Sequence, residues 1–397
     1  MKLSPRVKKI KPSATLEITA AAKKLKAEGK DIVAFTAGEP DFNTPAFIRD
    51  AAKEALDKGF TKYTPTAGMR ELRQAVAKRF REFNGIDCTE ENVVVSCGAK
   101  SSLFHVISAL VDVGDEVIVP SPYWVTYTEQ IGLCGGVATL VKTSSENGYK
   151  MTAAQFENAI TEKTRYLLIN SPCNPTGAVY TRKELTEIAS VCEKYGIDVI
   201  SDEIYENLIF NGKAVSFATV SEYAKEHTVT VNGVSKSYAM TGWRIGYICA
   251  PEDVAKAVSA MQGHTTSNAC SVAQYASVIA LTNGDDFIRE MHAEFEKRRN
   301  VIVGELKKIK GLKFVVPDGA FYVFADVSAF YGKKSDGEII TDSTSFARAL
   351  LRHGVAVVAG VAFGCDDCVR LSYSLSTEEI VKGVAKIDEF LRSLGNN

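Results

Sequence analysis

The chain alternates short apolar runs with longer stretches in which apolar residues recur every three or four positions. Five runs are rich in β-branched residues and have the length of buried strands: "VVVS" (93–96), "EVIVP" (116–120), "YLLIN" (166–170), "DVIS" (198–201) and "TVTVN" (228–232). Between them, spacings such as that of Leu103, Val106 and Leu110 predict amphipathic helices. The alternation predicts an α/β fold in which helices cover a mostly parallel sheet.

The hydrophobic pattern changes near residue 285. A long, charged amphipathic helix is predicted over roughly residues 286–309, and mixed short strands and helices follow it to about Leu394. This part of the chain indicates a smaller α+β unit, which we expect the N-terminal segment to complete.

The composition and net charge of the chain give no overall electrostatic attraction to polyanions such as nucleic acid. Of the 397 residues, 46% are hydrophobic and 24% are charged, and the formal net charge is -1. Such a charge attracts neither nucleic acid nor an anionic membrane, so any anion must be recognised locally. The basic N-terminus is followed by no apolar run of signal-peptide length, and no run approaches the roughly 20 residues of a membrane span. We therefore expect a cytoplasmic protein that binds neither nucleic acid nor membrane.

The nine cysteines are odd in number and scattered, which is typical of reduced thiols and not of a disulfide framework. Only Cys365 and Cys368, in "CDDC", have the spacing of metal ligands. No second pair or histidine cluster completes a set of four zinc ligands. We interpret this segment as a polar turn and expect no metal site.

Glycines and polar residues follow four of the predicted strands. In an open α/β sheet, ligands bind beyond the carboxyl ends of the strands, so these positions are expected to face one crevice. They are Gly98, Ala99 and Lys100 after the first run, Asn174 in "SPCNPTG", Asp202 with Tyr205, and Lys236.

Two cations in "VNGVSKSYAMTGWRIGY" (231–247) suggest a specific chemistry. A lysine that is partly desolvated and close to other cations has a lowered pKa, and the neutral amine of Lys236 could then form a Schiff base. Arg244 heads the apolar run "IGYICA", where a planar guanidinium favours a bidentate anion such as phosphate. Taken singly, Lys236 has an ordinary alternative, since most lysines are solvated surface groups, and Asp202 in "SDEIY" could equally form a structural salt bridge.

Considered together, the positions fit a ligand with a carbonyl, a phosphate, a ring hydroxyl and a basic nitrogen. Lys236 would bond to the carbonyl, and Arg244 would neutralise the phosphate beside the helix that follows Gly98. Asn174 and Tyr205 would hold the hydroxyl, and Asp202 would pair with the nitrogen. Pyridoxal phosphate has all four groups.

Ordered motifs along nearly the whole chain carry a family resemblance. They are "KPSAT" (11–15), "AGEPDF" (37–42), "KYTPTAG" (62–68), "GAK" (98–100), "SPYWVTY" (121–127), "NSPCNPTGAVY" (170–180), "SDEIYE" (201–206), the 231–247 segment, "GAFYVF" (319–324) and "VRLSYS" (369–374). The sequence resembles the class I aminotransferases of fold type I, most closely the bacterial-type aspartate and prephenate aminotransferases. The resemblance implies a large domain of residues 48–285 and a discontinuous small domain of residues 1–47 and 286–397.

The resemblance also implies residue roles, with Lys236 as the Schiff-base lysine and general base. Lys236, Asp202 and Tyr205 would be catalytic. The implied cofactor contacts are Gly98, Ala99, Lys100, Trp124, Asn174, Asp202, Tyr205, Lys236 and Arg244, with Tyr63 reaching the phosphate of the neighbouring subunit of a homodimer. The implied substrate contacts are Gly38, Trp124, Asn174 and Arg370 for the common part of the substrate, and Lys11, Ser13, Thr15 and Lys100 for its distal end.

The expected reaction moves an amino group between aspartate or glutamate and a 2-oxo acid, with ping-pong kinetics. Prephenate or aromatic substrates are an alternative, because Lys11 matches a lysine linked to prephenate use. A pyridoxal-phosphate-dependent lyase on the same fold is another, since it would share Lys236, Asp202 and Arg370. A regulatory protein would need an added DNA-binding domain, for which we expect no room before residue 11. No GxGxxG motif supports a nicotinamide-binding fold.

Overall fold

The computed structural model describes residues 1–4, 7–8, 10 and 14–395, with the side chains of the first long helix described from residue 17. The strands, in chain order, are β1 (Val33–Ala34), β2 (Val93–Ser96), β3 (Glu116–Ser121), β4 (Val137–Lys142), β5 (Thr164–Asn170), β6 (Asp198–Asp202), β7 (Thr228–Gly233), β8 (Gly246–Cys249), β9 (Lys313–Phe314), β10 (Tyr322–Asp326), β11 (Lys334–Ser335), β12 (Glu338–Ile339), β13 (Val355–Ala356), β14 (Val358–Ala359) and β15 (Cys368–Ser372).

The α-helices run over Ala14–Ala27, Ala46–Asp57, Arg70–Arg79, Ala99–Leu110, Thr126–Leu133, Ala153–Ala159, Arg182–Tyr195, Glu222–Glu226, Val234–Ser237, Glu252–Gly263, Ser271–Asn283, Asp285–Leu306, Ser343–Arg352 and Thr377–Ser393. Shorter 3₁₀ turns and one π-helical turn connect some of them. No helix in the described ranges is long and apolar enough to cross a membrane.

The largest sheet has seven strands in the order β2-β8-β7-β6-β5-β3-β4. Neighbouring strands from β7 to β4 pair in parallel, whereas β8 runs antiparallel to both β7 and β2. Because β8 opposes both of its neighbours, β2 points the same way as β7, and the carboxyl ends of β2, β5, β6 and β7 share one edge. The predicted mostly parallel sheet is confirmed.

All five predicted strands are present, and the sheet has two more: β8, which lies in the apolar run "IGYICA", and β4, which the pattern did not reveal. Residues of β2, β7 and β8 are buried throughout, which explains why none of these three strands contains a charged residue. The edge strand β4 is largely exposed or half-buried, so its sequence "VATLVK" lacks that signal.

The C-terminal unit is built on a second sheet with the order β14-β15-β10-β9, all antiparallel. The predicted long helix is confirmed as Asp285–Leu306. The N-terminal segment joins this unit because β1 pairs in parallel with β13, Val33 facing Val355. The helix Thr377–Ser393 then covers β1 with its buried face.

Gly383, in the helix Thr377–Ser393, allows this helix to lie directly against the N-terminal segment. A Cβ at Gly383 would lie 2.4 Å from ring atoms of Phe35 and 2.7 Å from Cγ1 of Val33. Gly383→Ala should therefore destabilise the protein by about 1–3 kcal/mol through overpacking. The measurement is the thermal unfolding midpoint.

Gly304→Ala is the matched control, because Gly304 also lies inside a helix but a Cβ there meets no heavy atom within 4 Å. Alanine at this position should stabilise the helix by roughly 0.5–1 kcal/mol. A Gly383→Ala midpoint equal to or above that of wild type would contradict the packing described here.

Candidate active site

Lys236 lies in the short helix Val234–Ser237, which follows β7 directly. It is therefore at the edge of the large sheet where the carboxyl ends of β2, β5, β6 and β7 lie. Its Nζ donates a hydrogen bond of 2.6 Å to the carbonyl oxygen of Gly38. Burial lowers the pKa of Lys236 to about 8, with Glu39 opposing this shift and Arg244 adding to it. The amine is therefore easier to deprotonate than an ordinary lysine, as a general base requires.

Asp202 ends β6 as a buried carboxylate. Burial raises the pKa of Asp202 to about 6, and two donors limit the rise: the hydroxyl of Tyr127, at 2.7 Å, and the backbone N–H of Ile204, at 3.2 Å. The carboxyl is thus mostly ionised at neutral pH. Sequence reasoning missed Tyr127, although it lies three residues after Trp124 at the start of a helix, so both rings face the same region.

Arg370, in β15, is only 2% exposed and yet has no carboxylate partner among the described residues. Its Nη1 donates to Oδ1 of Asn174 at 2.9 Å, and its Nη2 donates to the carbonyl oxygen of Thr36 at 3.1 Å. The Nε–H has no hydrogen-bond partner in the described part of the chain. Since a buried, unpaired guanidinium is costly, this arrangement fits an anionic ligand.

Two aromatic side chains that sequence reasoning did not assign enclose Arg370. The guanidinium carbon is 4.4 Å from the ring centroid of Tyr322 and 5.0 Å from that of Phe363. The hydroxyl of Tyr322 also lies 2.9 Å from that of Tyr205. Tyr322 therefore contacts both the Arg370 guanidinium and the hydroxyl of Tyr205, which is also buried.

Arg244 adopts a left-handed backbone conformation with φ 57°. Its guanidinium donates to the carbonyl oxygens of Thr241, at 2.8 Å, and Cys97, at 3.4 Å, and it forms no salt bridge with any described residue. A Cβ at Gly98 would lie 2.2 Å from Nη2 of Arg244. Because Gly98 precedes the helix Ala99–Leu110, this guanidinium lies beside a helix N-terminus, a combination suited to phosphate.

Lys100 lies in the first turn of that helix, with its Nζ 4.8 Å from the ring centroid of Trp124. Burial lowers the pKa of Lys100, and the charge of Arg244 lowers it further. Like Arg244, it forms no salt bridge within the described ranges.

Four of the residues expected from the sequence are not part of this cluster as described. Tyr63 is on the surface, with 91% of its area exposed. Lys11 and Ser13 lie outside the described residues. Thr15 is the second residue of the helix Ala14–Ala27, and its side chain is not among those described.

The remaining expected residues meet at the carboxyl edge of the large sheet. They are Gly38, Gly98, Ala99, Lys100, Trp124, Asn174, Asp202, Tyr205, Lys236, Arg244 and Arg370. The donor set comprises a lysine amine of lowered pKa, a buried carboxylate, and an arginine at a helix N-terminus. These residues fit pyridoxal phosphate.

Comparison with known families identifies the chain's relatives. The family model described as aminotransferase class I and II matches residues 30–387. The chain belongs to this family. It is a pyridoxal-phosphate-dependent aminotransferase of fold type I.

Similar proteins and structures cover the aminotransferase over its full length. A probable aspartate/prephenate aminotransferase of Aquifex aeolicus is 46% identical over 99% of both chains. An aspartate aminotransferase of Bacillus subtilis is 44% identical over 98% of this chain and 99% of its own. The structure of an aspartate aminotransferase from Thermus thermophilus with maleate has a TM-score of 0.93 at 42% identity, covering 98% of this chain and 100% of its own. That of the Rhizobium meliloti enzyme has a TM-score of 0.95 at 38% identity, covering 100% of both.

Tyr127→Phe should change how cofactor binding depends on pH. The substitution removes a hydrogen bond to ionised Asp202, so the pKa of this carboxyl rises above about 6. If Asp202 pairs with the ring nitrogen of pyridoxal phosphate, the affinity for the cofactor should decrease when the pH drops below the pKa of Asp202. The midpoint of this decrease should lie at a higher pH in the variant than in wild type. The measurement is the dissociation constant of the cofactor from the apoprotein between about pH 5 and about pH 8.

Tyr238→Phe is the control for this experiment, because the Tyr238 hydroxyl is buried and has no hydrogen-bond partner in the described part of the chain. Its midpoint should match that of wild type. An unshifted midpoint in Tyr127→Phe would show that the Tyr127 hydroxyl does not control the charge of Asp202.

Proposed function

We propose that the aminotransferase moves amino groups between aspartate or glutamate and 2-oxo acids. The observation that carries this substrate class is Lys100, a cation beside the crevice without a carboxylate partner in the described ranges. Relatives named aspartate aminotransferase, and the similar Thermus thermophilus structure with maleate, a dicarboxylate, support the same class.

The position of Lys100 is unfavourable unless an anion binds nearby. It lies at the positive end of a helix dipole, and Arg244 is close enough to lower its pKa. Both effects destabilise the charged amine in the free protein. A distal substrate carboxylate would relieve them, which is the physical reason to assign Lys100 to that group.

The residues at the strand ends would bind different groups of the cofactor. Gly98, the N–H of Ala99 and Arg244 would hold the phosphate, and Asp202 would hold the ring nitrogen. Asn174 and Tyr205 would hold the ring hydroxyl, while Trp124 would lie against the ring and Lys100 would border the phosphate side. When bound, pyridoxal phosphate supplies a carbonyl for the amine and a protonated ring that draws electrons from the substrate Cα.

Lys236 would carry the proton in this reaction. Its amine, with a pKa of about 8, accepts a proton from the substrate Cα and returns it on the cofactor side. Arg370 and the backbone of Gly38 would hold the α-carboxylate, so that Cα is presented to Nζ of Lys236. The same residues serve both half-reactions in turn, and the kinetics are expected to be ping-pong.

The proposed domain division is residues 48–285 for the large domain, with residues 1–47 and 286–397 for the small one. The pairing of β1 with β13 supports assignment of the N-terminal segment to the small domain. Arg298, on the long helix, donates to Asp41 at 2.6 Å, so the loop that carries Gly38 is attached to both parts. Closure of the small domain would then exclude water from the substrate.

We further propose a cytoplasmic homodimer in which Tyr63 reaches the phosphate site of the partner subunit. Two features support this assembly: the nearly full exposure of Tyr63, and an open groove of about 650 Å³ beside Arg244, lined in part by Thr241 and Trp243. An exposed aromatic side chain and an open groove are typical of surfaces that another protein covers.

Prephenate is a second candidate acceptor. Several relatives are named aspartate/prephenate aminotransferase, and Lys11 matches a lysine linked to prephenate use. An assay with glutamate as donor and prephenate as acceptor distinguishes a dual enzyme from one restricted to short dicarboxylic acids. Half-reaction spectra with a 2-oxo acid separate transamination from lyase chemistry.

Lys100→Ala should weaken dicarboxylic substrates selectively. Losing one partner of a buried pair costs roughly 3–5 kcal/mol, and because Lys100 is partly exposed we expect about 1–3 kcal/mol, or roughly 5- to 150-fold in kcat/KM. The measurement is kcat/KM for aspartate, alanine and phenylalanine. Only aspartate should lose that factor.

Lys183→Ala provides the matched control, since Lys183 is also the second residue of a helix but is 86% exposed. It should leave all three substrates unchanged. An equal loss for all substrates in Lys100→Ala, or a wild type without aspartate activity, would refute the dicarboxylate assignment.

A further inference from the structure

Cys365 and Cys368 close the turn that precedes β15. Their Sγ atoms lie 3.7 Å apart. The backbone fixes this approach, because the N–H of Cys365 donates to the carbonyl oxygen of Gly360 at 3.0 Å and the N–H of Cys368 donates to that of Cys365 at 3.4 Å. A disulfide bond of about 2.05 Å would therefore need only a local closure of the turn.

The two thiols differ in the way that a reactive pair requires. Cys365 is partly exposed, whereas Cys368 is 1% exposed. The thiols lie within hydrogen-bond distance of each other, so when one loses its proton the S–H of the other can stabilise the thiolate. Its greater exposure makes Cys365 the attacking thiol and leaves Cys368 as the resolving thiol.

A second pair of cysteines shows why exposure matters. Cys88 and Cys249 also lie close enough for each thiol to influence the pKa of the other. Both side chains are buried, with 4% and 5% exposure, so a reagent in solution does not reach them in the folded protein.

We propose that Cys365 and Cys368 form a redox-active dithiol that low-molecular-weight disulfides oxidise to an intramolecular disulfide. The Cys365 thiolate attacks one sulfur of the reagent, forms a mixed disulfide and releases one thiolate. The Cys368 sulfur then attacks Cys365 Sγ and displaces the second thiolate. The two released thiolates take up the protons lost by the two cysteines, so one disulfide is reduced as two protein thiols are oxidised.

The same turn is attached to the substrate pocket. Phe363 lies against Arg370, and the carbonyl oxygen of Phe363 accepts the N–H of Tyr123 at 3.1 Å, next to Trp124. Cys368 and Arg370 are two residues apart in β15. Formation of the disulfide brings Cys365 closer to Cys368 and should displace Phe363 relative to Arg370. An effect of this displacement on substrate binding rests on the proposed role of Arg370.

Formation of the disulfide can be tested without measuring enzyme activity. The holoenzyme is incubated with 2-hydroxyethyl disulfide, the remaining thiols are alkylated, and the peptides are analysed by mass spectrometry. We expect the peptide with Cys365 and Cys368 to lose two hydrogen atoms, to escape alkylation and to recover with dithiothreitol. Cys368→Ser should accumulate a mixed disulfide at Cys365, and Cys365→Ser should leave Cys368 unmodified.

Cys134 is the control for an isolated thiol, because it is partly exposed and hydrogen-bonds with the Ser108 hydroxyl instead of with another cysteine. Cys134→Ser should form the disulfide as wild type does. Phenylarsine oxide, which bridges adjacent thiols, should bind wild type and lose binding in either serine variant of the pair. A stable mixed disulfide at Cys365 in wild type, or no reaction there, would overturn the proposal.

Kinetics test the link to Arg370. Oxidised enzyme should show a several-fold higher KM for aspartate and alanine alike, restored by dithiothreitol, while Cys365→Ser stays insensitive to the reagent. A disulfide that forms without any change in KM would overturn this link. If the proposed substrate class were wrong, the reduced enzyme would already lack activity with aspartate, whether or not the disulfide forms.

Discussion

The structure depends most on one buried cation that has no carboxylate partner among the residues that the structure describes. The Arg370 guanidinium, in β15, donates to Asn174, in the loop that follows β5, and to the carbonyl oxygen of Thr36, in the N-terminal segment. One side chain therefore connects three distant parts of the chain at the point where they meet. Neutral acceptors position the guanidinium but do not neutralise it, so the free protein is ready for a carboxylate.

The same imbalance extends over the whole crevice, in a protein whose formal net charge is only -1. Lys100, Lys236, Arg244 and Arg370 converge there, and the carboxylates that influence Lys236 most are Glu39 and Asp202. Neighbouring cations help to lower the pKa of Lys236, and phosphate and carboxylate groups would complete the charge balance. The local concentration of charge thus links cofactor binding, substrate binding and proton transfer.

Much of this arrangement was predictable because parallel strands bring distant residues to one edge. Asp202 and Lys236 each end or follow an apolar run, and this position alone places them together. Tyr127, Tyr322 and Phe363 were missed because an aromatic residue in an apolar run is ordinarily a core residue. The contact of Lys236 with Gly38 also required the fold, since 198 residues separate them. The segment with Cys365 and Cys368 was interpreted as a polar turn, and only the fold shows that the two Sγ atoms lie 3.7 Å apart.

The central claim is that Arg370 binds the group common to all amino acid substrates. Arg370→Lys keeps the charge but loses the planar fork that reaches both Asn174 and a carboxylate. The decisive measurement is kcat/KM of this variant for aspartate, alanine and phenylalanine, with folding verified by the thermal midpoint. The account predicts a similar loss for all three, roughly 10- to 100-fold, as expected for hydrogen bonds to a charged group. A loss confined to aspartate would contradict it.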